Sequence, residues 1–503
     1  MNRTDGAKRY EKFIKKNSTA ENAETRAMLD GASAAKRKPP RIYDAPAQAK
    51  PKPAPARQNP GASQSIRRTS PKDKAAYRAS AAAILKRRSM FSADAIPPDA
   101  RNVIAEFDKI LQSVFPANGR QLASLPKNIN ALSHALTDER GERRRGYMNA
   151  PETLAAYMRY FSWWNIVRFT RLFANFEKDA FALSDGDACL DVGSGPLTAV
   201  ISLWLSRPEL RNKKLTWYCM DISQASLALG EDLYFSIAAR VPPSDKNAAP
   251  HWNIVRIKGE LGEPLRQKAS LIVCADMLNE LRETDARSDE IRAKQYASSL
   301  LSYAAKKSAL LVIEPGVPSA ARIISLMRDT LLKKNMTIVS PCPHAGACPM
   351  NGYRAHRGSA SKWCNFAFST EDAPPSLLKL SKDAKLPKTR AVVSFLFARN
   401  AFESGGAKAV RGCTDEAPKT KSAAGNEASK SVRAEFPIRI VSDAIALPGR
   451  ASGHYACSPL GLTLAVPASG IALFSGDSIA VGTLGDPARL PKDEKTGASV
   501  IRI

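Results

Sequence analysis

The chain has 503 residues, and its 75 Lys and Arg against 48 Asp and Glu give a formal net charge of +27. This length exceeds one ordinary domain of about 100 to 200 residues, so two or three folded units are expected. No run approaches the roughly 20 apolar residues of a membrane helix, and the start MNRTDGAKRYEKFIKK lacks a signal-peptide core. These features exclude the membrane and secreted classes and predict a bacterial cytoplasmic protein, with the mitochondrial matrix as the alternative.

The first 90 residues carry much of the charge, with 22 Lys or Arg and 7 Asp or Glu, a difference of +15. Residues 31–75 are rich in Ala, Pro, Lys and Arg and offer few large apolar side chains to bury, so residues 1–90 are predicted to be a disordered basic arm. A basic excess of this kind is typical of proteins that bind nucleic acid. A solvated linker is the alternative interpretation of the arm.

Residues 91–180 show helical spacing of apolar side chains and are predicted to form a helical region. Within it, the run ERGERRRGY contains four arginines that are suited to gripping phosphates or to forming a solvated helix face. They are Arg140, Arg143, Arg144 and Arg145. The aromatic run from Tyr157 to Trp164 predicts a packed helix face rather than a base-stacking surface.

Residues 181–337 alternate short β-rich runs with helical ones, as in ACLDVG followed by TAVISLWLS. Alternation of this kind predicts a parallel sheet with helices on both faces. The expected fold is therefore α/β, a Rossmann-type domain. It follows the helical region and precedes a cysteine-rich segment (338–404), a low-complexity linker (405–432) and a small, metal-bound, β-rich domain (433–503).

A nucleotide-binding loop is predicted at CLDVGSGPLTA, where a strand ends and a helix begins. Asp191, Gly193 and Gly195 fill an acidic-x-Gly-x-Gly pattern, in which glycine permits a tight turn and a close approach of the ligand. Asp221 ends the next strand 30 residues later, where a carboxylate reaches ribose hydroxyls. Leu197 stands where a third glycine is common, and the loop lacks the full GxGxxG spacing. S-adenosylmethionine is therefore favoured over a nicotinamide dinucleotide, and the expected fold is that of a class I methyltransferase.

Two further groups of residues complete the predicted pocket. Glu260, after the third strand, is a candidate neighbour of the adenine. The segment CADMLNEL ends the fourth strand, so Asp276, Asn279 and Glu280 are candidates for the side that receives the methyl acceptor. Methyl transfer to nitrogen or oxygen needs mainly positioning and at most one base, so these residues alone do not establish catalysis.

Three cysteines lie within 23 residues, with five and fifteen residues between them, and predict a metal site. They are Cys342, Cys348 and Cys364. Thiolates suit either zinc or an iron–sulfur cluster, and both usually take four ligands. The fourth candidate is Cys457, and Cys413 in the linker is the weaker choice. His344 is too close in sequence to Cys342 for the usual ligand spacing.

These motifs together resemble the mitochondrial-type small ribosomal subunit methyltransferase-like family, which also occurs in bacteria. The resemblance covers roughly residues 150–460. It rests on LDVGSGPLTA, LNEL, IEPGVPSAARII, the PCPH-x3-CP run at Pro341 to Pro349, the Trp363-Cys364-x-Phe366 run, and the pattern from Arg439 to Cys457. The chain departs from the family at Leu197, where a second glycine is common, and at AVVSFLF over residues 391–397.

The resemblance implies a protein that acts on the small ribosomal subunit and its rRNA during assembly or translation. It implies a [4Fe-4S] cluster held by Cys342, Cys348, Cys364 and Cys457, and an S-adenosylmethionine pocket. The chain is then either an rRNA methyltransferase or a non-catalytic RNA-binding assembly factor with a structural cluster. A zinc-containing methyltransferase of a non-RNA substrate is the third alternative.

Overall fold

The computed structural model describes residues 86–137, 146–282, 287–353, 361–400, 436–448, 451–468, 470–482 and 489–503. Its helices are α1 Pro98–Ala105, α2 Phe107–Val114, α3 Gly119–Thr137, α4 Pro151–Ala156, α5 Ser162–Ala174, α6 Thr198–Ser206, α7 Pro208–Arg211, α8 Gln224–Arg240, α9 Leu278–Arg282, α10 Asp289–Ser302, α11 Pro318–Lys333 and α12 Pro375–Asp383. Its strands are β1 Lys86–Arg88, β2 Ala188–Val192, β3 Thr216–Asp221, β4 Asn253–Lys258, β5 Ala269–Ala275, β6 Ala304–Pro315, β7 Met336–Ser340, β8 Phe366–Ser369, β9 Arg390–Asn400, β10 Phe436–Ile440, β11 Ile445–Ala446, β12 Ser452–Ser458, β13 Gly461–Val466, β14 Ser478–Val481 and β15 Ser499–Arg502. None of these helices is long and apolar enough to cross a bilayer.

Helices α1 to α5 precede the first sheet and carry the aromatic run. Proline occupies the first turn of α1 and of α4, where its missing N–H has no partner to lose. Tyr160, Trp163 and Trp164 are each 3% exposed, and the Trp163 indole donates to the carbonyl of Ile104 in α1. The predicted packed helix face is confirmed, because these rings are buried between helices.

The first sheet has the strand order β4-β3-β2-β5-β6-β9-β7, with β8 paired to β9. Strands β2 to β6 run parallel, whereas β9 is antiparallel to both of its neighbours. The five parallel strands follow the doubly wound order, in which the first and fourth strands are neighbours and leave a crevice at their carboxyl ends. The predicted Rossmann-type α/β fold is confirmed, and the crevice lies beyond β2 and β5.

The expected domain boundary at residue 337 implied that the first sheet ends there, but the sheet continues beyond it. Strands β8 and β9 lie within the segment predicted to be cysteine-rich only, and β7 spans the boundary. The run AVVSFLF forms most of β9, which pairs with β6, β7 and β8. Strand pairing over a long sequence distance decided this, because an isolated apolar run does not specify the sheet that it joins.

The second sheet has the order β1-β14-β10-β12-β13-β15, and β11 pairs with β12. Its pairs are antiparallel except for β13 with β15. Ile438, Ile440, Ile479 and Ile501 form the centre of its apolar interior. The expectation that residues 1–90 are entirely disordered is wrong for Lys86–Arg88, because this short strand pairs with the edge of β14.

Candidate functional site

The loop after β2 turns sharply at the crevice. Gly193 and Gly195 have φ values of +70° and +52°, and Leu197 has a φ of +58° with a fully buried side chain. A Cβ atom at Gly195 would meet no atom within 4 Å, so the backbone there borders open space. Gly230 in α8 was missed by the sequence motif, although a Cβ there would lie 2.4 Å from the Pro196 backbone carbon. The loop after β2 can therefore pack closely against α8 only because residue 230 has no side chain.

Two carboxyl groups flank the glycine loop. Asp191 is 1% exposed and accepts a 2.8 Å hydrogen bond from the Ser194 hydroxyl, and burial, together with the charge of Asp221, raises the pKa of Asp191 to about 7. Asp221 accepts from the Gly195 and Ser223 amides at 2.9 Å and 2.7 Å. Because each carboxylate oxygen has a second lone pair, Asp221 can still accept hydrogen bonds from a ligand.

The predicted acceptor-side residues lie at the end of β5. Asp276 has a φ of +54°, and its carboxylate forms an ion pair with the Arg168 guanidinium of α5. The backbone amide of Asn279 donates to the Glu314 carboxylate. Glu280 accepts a 3.3 Å hydrogen bond from the Tyr147 hydroxyl. All three follow the carboxyl end of β5, and the carboxylate of Asp276 is already paired. Their role on the acceptor side stays a prediction.

Sequence reasoning missed the residues that surround Asp276. Glu314 ends β6 and accepts from the amides of Leu278 and Asn279, and burial raises its pKa to about 8. Burial and Arg168 lower the pKa of Lys388 to about 8, whereas Asp276 favours its charged form. These side chains come from α5, β6 and the loop before β9, so no local motif could have grouped them.

Glu260 lies two residues beyond β4 and is exposed. The amide of Gly259, just before it, donates to the carbonyl of Asp221, so Glu260 lies beside the strand end that carries Asp221. Its contact with adenine stays a prediction. The arginine cluster at 140–145 and Cys413 lie outside the described residues.

The four predicted cysteine ligands come together between the two sheets. Cys342 follows β7, Cys348 and Cys364 lie in the loops before β8, and Cys457 lies in β12. Burial raises the pKa of Cys364, and the nearby Cys348, Cys342 and Cys457 thiols raise it further. The described residues nevertheless contain no group of three or more His, Cys, Asp or Glu side chains placed to hold a metal ion.

Two arginines and one histidine line the cysteine site. Arg328 donates to the Cys342 sulfur at 3.2 Å and to the carbonyls of His344 and Gly346. Arg439 lies in β10 opposite Cys457 of β12, and it donates to the Pro341 carbonyl at 3.0 Å. The His344 Nε2 lies 3.1 Å from the Cys457 sulfur. Positive charge beside the sulfurs stabilises thiolates, the form that binds metals.

Residues 178–411 match the family model described as mitochondrial small ribosomal subunit Rsm22. This match confirms the family resemblance over that segment, which includes Cys342, Cys348 and Cys364 and ends before Cys457. The segment is thus related to a small ribosomal subunit family and has a methyltransferase-like fold. Comparison with curated proteins gives no match.

Among solved structures, the chain resembles precorrin-6y C5,15-methyltransferase from Geobacter metallireducens at 9% identity, covering 44% of this chain and 84% of that one, with a TM-score of 0.25. An S-adenosylmethionine-dependent methyltransferase from Geobacter sulfurreducens, solved with S-adenosylhomocysteine, matches at 12% identity, 54% and 98% coverage and a TM-score of 0.26. A putative RNA methyltransferase from Pyrococcus horikoshii matches at 12% identity, 47% and 84% coverage and a TM-score of 0.23. The fold assignment rests on the strand order and not on these low scores.

Proposed function

We propose that this chain, whose residues 178–411 match the mitochondrial small ribosomal subunit family, binds S-adenosylmethionine and acts on the small ribosomal subunit and its rRNA during assembly or translation. The observation that carries the proposal is the glycine loop at the crevice between β2 and β5, where doubly wound sheets bind their ligands. A bacterial cytoplasm is the proposed location, with the mitochondrial matrix as the alternative.

The S-adenosylmethionine pocket is assigned to the edge of the sheet beyond β2, β3 and β4. The backbone at Gly193 and Gly195 would let the ligand approach closely, and Asp221 would accept from the ribose hydroxyls. Asp191 would face the cationic end of the ligand, and Glu260 would border the adenine. The open space at Gly195 supports this arrangement, because a ligand needs that space and a side chain would fill it.

The test compares two glycines by isothermal titration calorimetry. Gly195 and Gly186 both have positive φ values, +52° and +83°, and a Cβ atom at either would meet nothing within 4 Å. Gly195→Ala and Gly186→Ala therefore impose similar backbone strain, but only Gly195 borders the crevice. We expect S-adenosylmethionine affinity to fall more than about tenfold in Gly195→Ala and to stay near wild type in Gly186→Ala. Equal affinities, or a wild type that does not bind, would reject the pocket.

We also propose that Cys342, Cys348, Cys364 and Cys457 hold a [4Fe-4S] cluster. Four thiols whose charges influence one another, with Arg328 and Arg439 beside them, fit an anionic thiolate-ligated cluster. A single zinc ion would need four donors about 2.3 Å from one point, whereas a cluster attaches each thiolate to a different iron. The four cysteines are therefore proposed as cluster ligands, with zinc as the alternative.

Anaerobic purification with iron, sulfide and zinc analysis tests the cluster. About four irons and four sulfides per chain are expected in the wild type. Cys364→Ser and Cys457→Ser should lose them, whereas Cys413→Ser, which removes the weaker alternative ligand, should keep them. One zinc per chain, or no metal, would reject the cluster.

A non-catalytic assembly factor is the second candidate, and the Arg168–Asp276 ion pair favours it. The carboxylate at the acceptor side is already neutralised by a buried cation, so it is not free to orient an incoming amine or hydroxyl. Incubation of small subunits with S-adenosylmethionine labelled on its methyl group separates the two candidates. Label transfer that depends on Asp276, Asn279 and Glu280 would establish the enzyme, and binding without transfer would establish the assembly factor.

A further inference from the structure

The second sheet has a strand topology with a known binding face. Strands β10, β12 and β13 form an antiparallel meander, β15 runs parallel to β13, and β14 returns beside β10. This is the topology of the OB-fold, a partly open five-stranded barrel whose second and third strands and adjoining loops bind oligonucleotides. We infer that the barrel binds single-stranded RNA on the face of β12 and β13 around Tyr455. The inference rests on the proposed function, since it assigns the surface that contacts RNA.

The register identifies which side chains face outward on these strands. Ala456 belongs to the barrel interior, so its neighbours Tyr455 and Cys457 lie on the opposite face, because side chains alternate along a strand. Cys457 and Leu462 pack against the apolar core of the helices and the first sheet, and they occupy part of that face. Tyr455 also packs against that core but is only partly buried, so the open part of the face lies at the exposed edge of its ring.

One lysine lies over the Tyr455 ring, and a second lies near that lysine. The Lys362 ammonium lies 4.1 Å from the ring centroid, and its nitrogen is buried without a hydrogen-bond partner in the described part of the chain. Lys495, which is exposed in the loop between β14 and β15, is close enough to influence Lys362 electrostatically. Because the Lys362 nitrogen is buried, Lys495 is the one of these two cations that a phosphate oxygen can reach.

The same loop contacts Tyr455 directly. The Tyr455 hydroxyl donates to an Asp493 carboxylate oxygen at 3.4 Å, so the loop between the fourth and fifth barrel strands borders the ring. This arrangement places an aromatic ring beside cations at the face and loop where OB-folds bind. Stacking on such a ring tolerates every base but requires the base to be unstacked, which favours single strands over duplex RNA.

A second aromatic–cation pair lies on the barrel. Phe474 lies in the loop between β13 and β14 and is 58% exposed. Among the described residues, no other large hydrophobic side chain is as exposed. The Arg87 guanidinium of β1 lies 5.5 Å from its ring centroid. Strand β1 follows directly after a strongly basic stretch of sequence, since residues 1–85 carry 19 Lys or Arg and 7 Asp or Glu.

Fluorescence anisotropy of the full-length protein with a labelled 12-nucleotide single-stranded RNA, and with a duplex of the same length, tests the inference. Tyr455→Leu should weaken single-strand binding about tenfold, because it removes the stacking ring. Tyr455→Phe keeps the ring and should stay within about twofold of wild type. Lys495→Gln should lower the salt dependence, whereas Lys214→Gln, an exposed lysine before β3, should change neither quantity.

The results that would overturn the inference are separate from those that concern the proposed function. Unchanged affinity in both Tyr455→Leu and Lys495→Gln, duplex binding as tight as single-strand binding, or no binding of the single strand would reject the barrel site. Lys495→Gln changes an exposed side chain and covers the case in which Tyr455→Leu does not fold. Failure of the wild type to cosediment with small ribosomal subunits would reject the proposed function instead.

Discussion

Gly193 lies where β2 ends and faces the residue that follows Asp276. A Cβ atom at Gly193 would lie 2.7 Å from both Cγ and Sδ of Met277, and the φ of +70° disfavours any side chain. We expect Gly193→Ala to lower the melting temperature, because strain of about 1–3 kcal/mol would be added. Differential scanning fluorimetry measures this, and adding Met277→Ala should recover part of the loss. No recovery would mean that the backbone strain alone accounts for the effect.

The Asp191 carboxyl makes stability depend on pH. Its pKa is raised from 3.8 to about 7 by burial, so the folded state binds a proton that the unfolded state releases. This contribution to stability is fully present below about pH 4 and is lost as the pH rises through 7. Asp191→Asn keeps an acceptor for Ser194 without the charge, so its melting temperature should gain on wild type between pH 5 and pH 8. Parallel pH profiles would contradict the assignment.

Helix α5 is joined to the end of β5 by the Arg168–Asp276 ion pair. Removing one partner of a buried pair leaves an uncompensated charge, so Arg168→Met should destabilise the protein by about 3–5 kcal/mol. The double variant Arg168→Met with Asp276→Asn removes that charge and should be more stable than Arg168→Met alone. Urea unfolding of the four proteins in this cycle measures the coupling. Additive losses would show that the two side chains contribute independently.

At the scale of the whole molecule, the basic arm should govern the salt dependence of ribosome binding. Residues 1–85 contain 19 Lys or Arg and 7 Asp or Glu, a difference of +12. Each phosphate that a cation neutralises steepens the fall of affinity with salt, so deleting residues 1–85 should flatten that dependence. Binding to small subunits at several salt concentrations measures the slope. An unchanged slope would mean that the arm is a solvated linker.

The cysteine site also acts at this scale, because it contains residues from both sheets. Cys342 follows β7 of the first sheet, whereas Cys457 belongs to β12 of the second. The sequence predicted this set from soft ligands at short spacing and from the resemblance. In the structure the other three thiols are near enough to Cys364 to influence its pKa, and the ligand set stays a prediction. Arg439 belongs to a pattern that the resemblance uses, but its place beside the cysteines, and that of Arg328, could not be predicted from the sequence, since the two arginines are 111 residues apart.

The Rossmann-type core, the glycine loop and the resemblance of residues 178–411 to the ribosomal family could all be predicted from the sequence. Strand and helix periodicity, tight turns and short motifs are local properties, and each depends on residues that are neighbours in the chain. Only the tertiary structure decided that β9 completes the first sheet, that Arg168 and Lys388 flank Asp276, and that Lys362 lies over Tyr455. These are contacts between elements far apart in sequence, and they form because packing the two sheets leaves few arrangements in which their apolar faces and buried charges are both satisfied.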